Sequence, residues 1–329
     1  MAIGGAQTYG IWKKEDTFKG ATSDAAKSFG HDFKISSLNA KNNVQKVFGL
    51  GNIEAQAQFG KAFEGSVGLE FILADPWIWL LISGNAATTT GVGPYTHTYV
   101  DTTLGSPIAP AKTTPSFLLS TGQDLTTDVT RALKGCVAKT LSLDLSVDAA
   151  VQCKLDADYA TEASGTSLDT NVNPTDDPYV FSYAAIELPT GTVITSRALQ
   201  SMNITFNRNP ELKRGLGNRV AQTYFNKTLG YDVKISLPTS DDTFLEQLYG
   251  ATSATAPAGS LTEQVGLKLT LDNGGATTAQ RQLLLEFVGV LTDEHGTAFN
   301  VDEMVAEDLT LSVRQWKKCI AIDNTATQP

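Results

Sequence analysis

The chain has 329 residues, 41% hydrophobic and 18% charged, with 25 Lys and Arg against 35 Asp and Glu for a net charge of −10. That balance excludes extended disorder and leaves room for two domains or one large β unit. The acid excess also excludes a surface built to neutralise nucleic-acid phosphates, which requires a basic face.

The first residues, MAIGGAQTYGIWKKEDTF, lack a basic segment followed by a continuous apolar run and read as no secretory signal. Residues 1–32 are expected to form an N-terminal arm, followed by a first β domain over 33–160, a linker over 161–178 and a second β domain over 179–329. The first domain opens on the strand FKISSLNA, a polar hairpin from Asn42 to Lys61, and an alternating strand through Val67, Leu69, Phe71 and Leu73. In the segment DPWIWLLISG, Asp75 is expected to cap a short helix, Pro76 suits its first turn and Gly84 ends it. The apolar stretch Phe71 to Ile82 is broken by Asp75 and Pro76 and falls short of the ~20 residues of a membrane helix. A mobile surface loop is expected over Asn85–Gly93, then strands at Tyr95–Val100, Pro115–Ser120, Ala138–Leu145 and Val151–Tyr159.

Ala160 to Pro178 is rich in Ser, Thr, Asn, Asp and Pro, which marks the boundary between domains. Beyond it, MNITFN and the alternation Val233-Ile235-Leu237 repeat the strand pattern, and DDTFLEQLYG repeats the helix, with Asp241 as its expected cap and Gly250 as its end. A second loop is expected at Ala251–Ser260, with strands at Val265–Asp272, Arg281–Val290 and Ala306–Val313. Short strands separated by Gly, Thr and Asn turns predict an all-β fold, β-rich with short helices, of the sandwich or barrel kind.

The halves are related. Shifting the chain by 166 positions lays Asn42–Lys61 over Arg208–Lys227 with nine identities in twenty positions. Asn43, Gly49, Leu50, Gly51, Asn52, Ala55, Gln56, Phe59 and Lys61 meet Asn209, Gly215, Leu216, Gly217, Asn218, Ala221, Gln222, Phe225 and Lys227. After a small adjustment, AKTLSLDL at Ala138–Leu145 lies over AEDLTLSV at Ala306–Val313. Two duplicated domains follow. Because the block of highest agreement is polar and glycine-containing rather than apolar, a shared contact is expected at both hairpins, with a turn needed only for folding as the competing reading.

Catalytic signatures are missing. His31, His97 and His295 occur singly, Cys136, Cys153 and Cys319 form no C-x-x-C pair, and there is no G-x-S-x-G or H-E-x-x-H. Gly49-Leu50-Gly51 and Gly215-Leu216-Gly217 lack the helix and spacing of a phosphate loop and read as hairpin bends. No enzyme activity, metal or cofactor is expected.

YGIWKKEDTFKG, the series FKISSLNAKNNVQKVFGLGN with its copy MNITFNRNPELKRGLGN, the strand leading into D-P-W-I-W-L-L, and YTHTYV followed by PSFLLS resemble the tail tube, or major tail, proteins of tailed bacterial and archaeal viruses. The resemblance implies tail-tube-like β-sandwich or barrel domains that form stacked rings in the virion tail, after synthesis in the host cytoplasm. Two domains per chain favour a trimeric, pseudo-sixfold ring over a hexamer. Partners would be further copies, the tape measure, baseplate and terminator proteins and, in some tails, a sheath. DNA would be met only in transit during ejection, and no membrane would be involved. The sixteen hairpin residues that carry the identities, Ala55 and Ala221 aside, become candidates for inter-ring or inter-subunit contact. Glu70, Asp144, Asp148 and Asp232, on polar sides of predicted strands, become lumen candidates. Two alternatives stand beside this reading: a two-domain β-sandwich module binding carbohydrate or a cell surface, with Trp77 and Trp79 as its nearest aromatic cue, and a low-copy baseplate hub or tail-completion protein of the same fold.

Overall fold

A computed structural model describes residues 8–326 except 51–52, 124–128, 148, 166–171, 173, 175–176, 181–182, 189–198, 239–242, 251–252, 262, 264–265, 273–279 and 299–305. Its strands are β1 (Thr8–Lys14), β2 (Lys27–Ser28), β3 (His31–Lys41), β4 (Val44–Phe48), β5 (Ala55–Gly60), β6 (Glu64–Ile72), β7 (Thr88–Thr90), β8 (Tyr95–Asp101), β9 (Phe117–Gln123) and β10 (Val129–Ser146). They continue as β11 (Gln152–Tyr159), β12 (Thr161–Ser164), β13 (Ala184–Glu187), β14 (Ser201–Asn207), β15 (Pro210–Lys213), β16 (Thr223–Asn226), β17 (Gly230–Pro238), β18 (Leu267–Asp272), β19 (Gln282–Ala298) and β20 (Ala306–Asp323). Two short helices follow β6 and β17, α1 (Ile78–Ser83) and α2 (Thr243–Tyr249). The expected all-β class is what the chain adopts.

Strict alternation builds the sheet. Leu141, Leu143 and Leu145 on β10, Met202, Ile204 and Phe206 on β14, and Val233, Ile235 and Leu237 on β17 are buried on one side, while the residues between them face out. The main path runs β13-β18-β19-β20-β17-β14-β10-β11-β6-β3, all antiparallel, and β10 pairs with β14 so that both halves of the chain share one sheet. Outside the path, β1 pairs with β9 and places Trp12 in the core, and β8 of the first half pairs with the end of β20. The hairpins β4-β5 and β15-β16 stand apart as two-stranded sheets.

Two four-strand runs recur along this path. β3-β6-β11-β10 and β14-β17-β20-β19 have the same neighbour order. Their registers also match: Ser37 opposite Gly68 corresponds to Asn203 opposite Lys234, Leu155 opposite Leu69 to Leu309 opposite Ile235, and Leu141 opposite Leu155 to His295 opposite Leu309. A bulge interrupts β10 between Ala138 and Thr140 and β19 between Thr292 and Glu294. By sheet position, β20 therefore corresponds to β11 and not to β10, which corrects the expected overlay of Ala138–Leu145 on Ala306–Val313. The leucine alternation is common to all these strands, so residue type could not separate them.

The apolar face of the sheet is covered by α1, whose six residues are all buried. Trp79 meets Phe206 and Trp316 edge-on, at 5.5 and 5.8 Å between ring centroids. Gly84 ends α1 in the left-handed region, with its N–H bonded to Leu80 O, where a Cβ would fall 2.5 Å from Thr113 O. Asp75 does not cap the helix. The N-cap position is Trp77, without a side-chain bond, while Asp75 is buried and accepts a bond from Ser28 Oγ at 3.3 Å. Burial pushes its carboxyl above the usual range, partly opposed by the nearby Arg281 guanidinium. The other expected cap, Asp241, lies outside the described residues.

Candidate assembly surface

The outward side of the sheet is a continuous polar face. Residues opposite one another across the strands include Ser37, Gly68, Asp156, Thr140 and Asn207 in one row, and Glu70, Lys154, Ser142, Thr205 and Asp232 in another. Glu70, Asp144 and Asp232, expected from sequence as lumen candidates, share this face, whereas Asp148 lies outside the described residues. Sequence reading missed Asp156, Glu294 and Asp308, which alternate onto the same side; their opposing residues Thr140, Thr310 and Ser236 could be known only once the register was fixed.

The face is held by short polar bonds rather than by packing. Ser142 and Thr205 hydroxyls lie 3.1 Å apart across the β10-β14 junction, Asn203 Nδ2 donates to Asp144 Oδ1, and Thr140 Oγ1 donates to Asp156 Oδ2 at 3.0 Å. Lys154 Nζ lies 3.9 Å from Asp144, and Lys234 is exposed on the same face opposite Asn203 and Thr310.

Asp158 shows the cost of burying a carboxylate there. Burial raises its pKa most; Lys139 lowers it, and Asp156 and Glu64 raise it further. A folded-state pKa above the unfolded one means the native protein binds more protons, so this group adds stability as pH falls and removes it as pH rises through the shifted value. Asp158→Asn is therefore expected to raise the thermal midpoint at neutral pH, with the gain shrinking toward the carboxylate range. Thermal melts at a series of pH values check this; a gain that grows on acidification would contradict it.

The two hairpins carry the repeated block, and they sit differently. All residues of β4 and β5 are exposed. Val44, Phe48 and Phe59 are each at least half exposed, and Leu50 and Ile53 are almost fully so. The second hairpin lies against the first half of the chain: Tyr224 Oη donates to Thr114 O, Asn226 Nδ2 donates to Thr114 Oγ1 at 3.1 Å, and the Tyr224 ring packs 5.0 Å from Phe18. Arg214 donates to Phe63 O at 2.7 Å, Arg219 to Asn42 Oδ1 at 2.8 Å, and the Phe63 N–H to Arg219 O at 2.9 Å. Ala221 is buried, while its counterpart Ala55 is exposed.

Part of the shared block has a backbone reason. Asn43 and Asn209 both hold positive φ, 41° and 43°, where the strand turns into the hairpin, a conformation asparagine tolerates better than most residues. Gly217 also has positive φ, and a Cβ on Gly49 would fall 2.2 Å from Gln56 Oε1. Gln222 spends its side chain on Val220 O, and Lys227 lies 3.3 Å from Glu211. No such need accounts for Leu50 and Leu216, both at the tips and fully exposed. Gly215 and Asn218 stay in the exposed turn, bonded to each other through Asn218 N–H and Gly215 O, and Phe225 is 40% exposed beneath Lys213 Nζ. Lys61 donates its N–H to Asn43 O and closes the base of the first hairpin. Gly51 and Asn52 lie outside the described residues.

Other polar clusters serve the fold. His97 Nε2 lies 3.0 Å from Asp323 and its Nδ1 2.8 Å from Thr89, all within the strand layer that joins β7, β8 and β20. Among the described residues, no three His, Cys, Asp or Glu side chains converge as a metal site, and no helix is long and apolar enough to cross a membrane.

A protein-family model described as phage tail tube protein matches residues 5–313. No curated protein matches the chain.

Proposed function

The chain belongs to the phage tail tube protein family, and from that premise we propose that it is a non-enzymatic virion subunit whose copies close into rings and stack into the tail tube around a central DNA channel. The observation that carries this reading is the sheet itself: one continuous layer, polar on one side and packed on the other, whose end strands have no further strand partner among the described residues. Open edges invite further strands, and ring closure satisfies them without uncontrolled aggregation. Stacking needs two different end faces so that each ring offers a fresh acceptor, and projecting hairpins supply one of them. Two matching runs in each chain favour three chains per ring. Other tail proteins would meet the ends of the tube.

On this reading the polar face lines the channel. Glu70, Asp144, Asp156, Asp232, Glu294 and Asp308 repel phosphates, while Lys34, Lys41, Lys154 and Lys234 on the same face moderate the field. Tubes of the variant Glu70→Lys/Asp144→Lys/Asp232→Lys are expected to retain double-stranded DNA at low salt and release it as salt rises, whereas wild-type tubes leave it free. Equal DNA retention by the two would place this face away from the channel. The role as a whole is tested by electron microscopy of the purified protein, which is expected to show rings or tubes with an axial hole; compact monomers at every concentration would refute it.

A further inference from the structure

We propose that neighbouring copies join by repeating the seam that already joins the two runs inside one chain: the outer edge of β3 in one copy pairs antiparallel with the C-terminal part of β19 in the next, with Asn39 opposite Gly296 and Lys41 opposite Glu294. This rests on the ring reading above and specifies the surfaces that close the ring.

The internal seam is the template. There β10 meets β14 with Thr140 opposite Asn207, Ser142 opposite Thr205 and Asp144 opposite Asn203. β10 and β19 hold the same place in the two runs and share a bulge, and β3 matches β14 in register from Ser37 onward. Carrying each residue to its counterpart turns Thr140 into Glu294, Ser142 into Gly296, Thr205 into Asn39 and Asn207 into Lys41. Among the described residues, the edges that would meet lack a further strand partner: β3 ends the sheet path, and β19 beyond Phe287 pairs on one side only, with β20.

The chemistry of the two edges fits. Lys41 and Glu294 are both exposed, on the polar face, and of opposite sign, so the copied register sets an ion pair where a shift by two residues would not. Asn39 and Gly296 are exposed and small enough for close approach, as Ser142 and Thr205 are in the template. The hairpins follow the same logic. The second hairpin leaves β14 and lies on the adjoining run of its own chain. The first hairpin leaves β3, so the seam delivers it to the adjoining run of the next copy, where Val44, Phe48 and Phe59 find cover that a single chain does not provide.

The test is disulfide trapping in the full-length protein, whose own Cys136, Cys153 and Cys319 are buried. Oxidised Asn39→Cys/Gly296→Cys is expected to run as covalent dimers and trimers on a non-reducing gel, and an equimolar mixture of the two single variants as dimers only. Ser37→Cys/Glu294→Cys places the thiols about 13 Å out of register and is expected to stay monomeric, since bridged Cα atoms lie within ~7 Å. Lys41→Glu is expected to lower ring yield at least tenfold, and Lys41→Glu/Glu294→Lys to restore most of it. Rings by microscopy without trapping at 39 and 296, or with equal trapping at 37 and 294, would overturn the seam and leave the tube reading standing. Monomers alone, untrapped at every concentration, would overturn both.

Discussion

Replacing Val44, Phe48, Leu50 and Ile53 together by serine is expected to abolish assembly while leaving the subunit as stable as before. These side chains are exposed in the folded chain, and surface substitutions away from caps, cores and buried polar groups stay within about 0.5 kcal/mol. Their apolar area gains value only when another surface covers it, at about 1.5–3 kcal/mol for each large side chain fully buried. Sedimentation velocity is expected to show the ring boundary replaced by monomer, at an unchanged thermal midpoint. Tyr224→Ala in the second hairpin reverses the pattern: it removes the bond to Thr114 and the contact with Phe18, and so costs stability in the isolated chain. Equal loss of stability from both variants would mean that the first hairpin serves folding alone.

Arg208→Ala is expected to destabilise the subunit by about 2–4 kcal/mol, since each buried carbonyl left without a donor costs about 1–3 kcal/mol and Ser83 O keeps its bond from the Ala111 N–H. Arg208 is buried where β14 ends, in the second half of the chain, and donates to carbonyls of the first half: Nε to Ile82 O at 2.6 Å, Nη1 to Ala111 O and Nη2 to Ser83 O, each at 2.8 Å. Two of those acceptors are carbonyls at the C-terminus of α1, which have no partner further along the helix. Burial pulls the guanidinium down to about 10, still charged at neutral pH. Arg208→Lys is expected to recover only part of the loss, because one ammonium cannot reach three diverging carbonyls. Urea denaturation checks both variants, and a wild-type midpoint for Arg208→Ala would show that the halves do not depend on this residue.

What the sequence made legible was local. The alternation through Val67, Leu69 and Phe71, or through Val233 and Ile235, has a period of two that no helix shares, and Gly84 ends its helix as its residue type suggests. Partnership between distant strands was not legible. Nothing in TYGIWKK names β9 as its neighbour, and nothing in β8 points to the end of β20. Asp75 carries a capping residue's chemistry, but its carboxyl turns toward Ser28 in a buried site. The hairpins show the same limit. Shared residues marked both as special, yet only the register of the sheet explains why one is covered by its own chain and the other is bare.

The most direct measurement is the composition of one ring: native mass spectrometry of rings released from the tube, with a cross-section by electron cryomicroscopy. Three copies of the 35.1 kDa chain, arranged as six sheet runs around a polar channel, are the expected result. Six chains per ring, or an apolar or basic wall facing the channel, would contradict it.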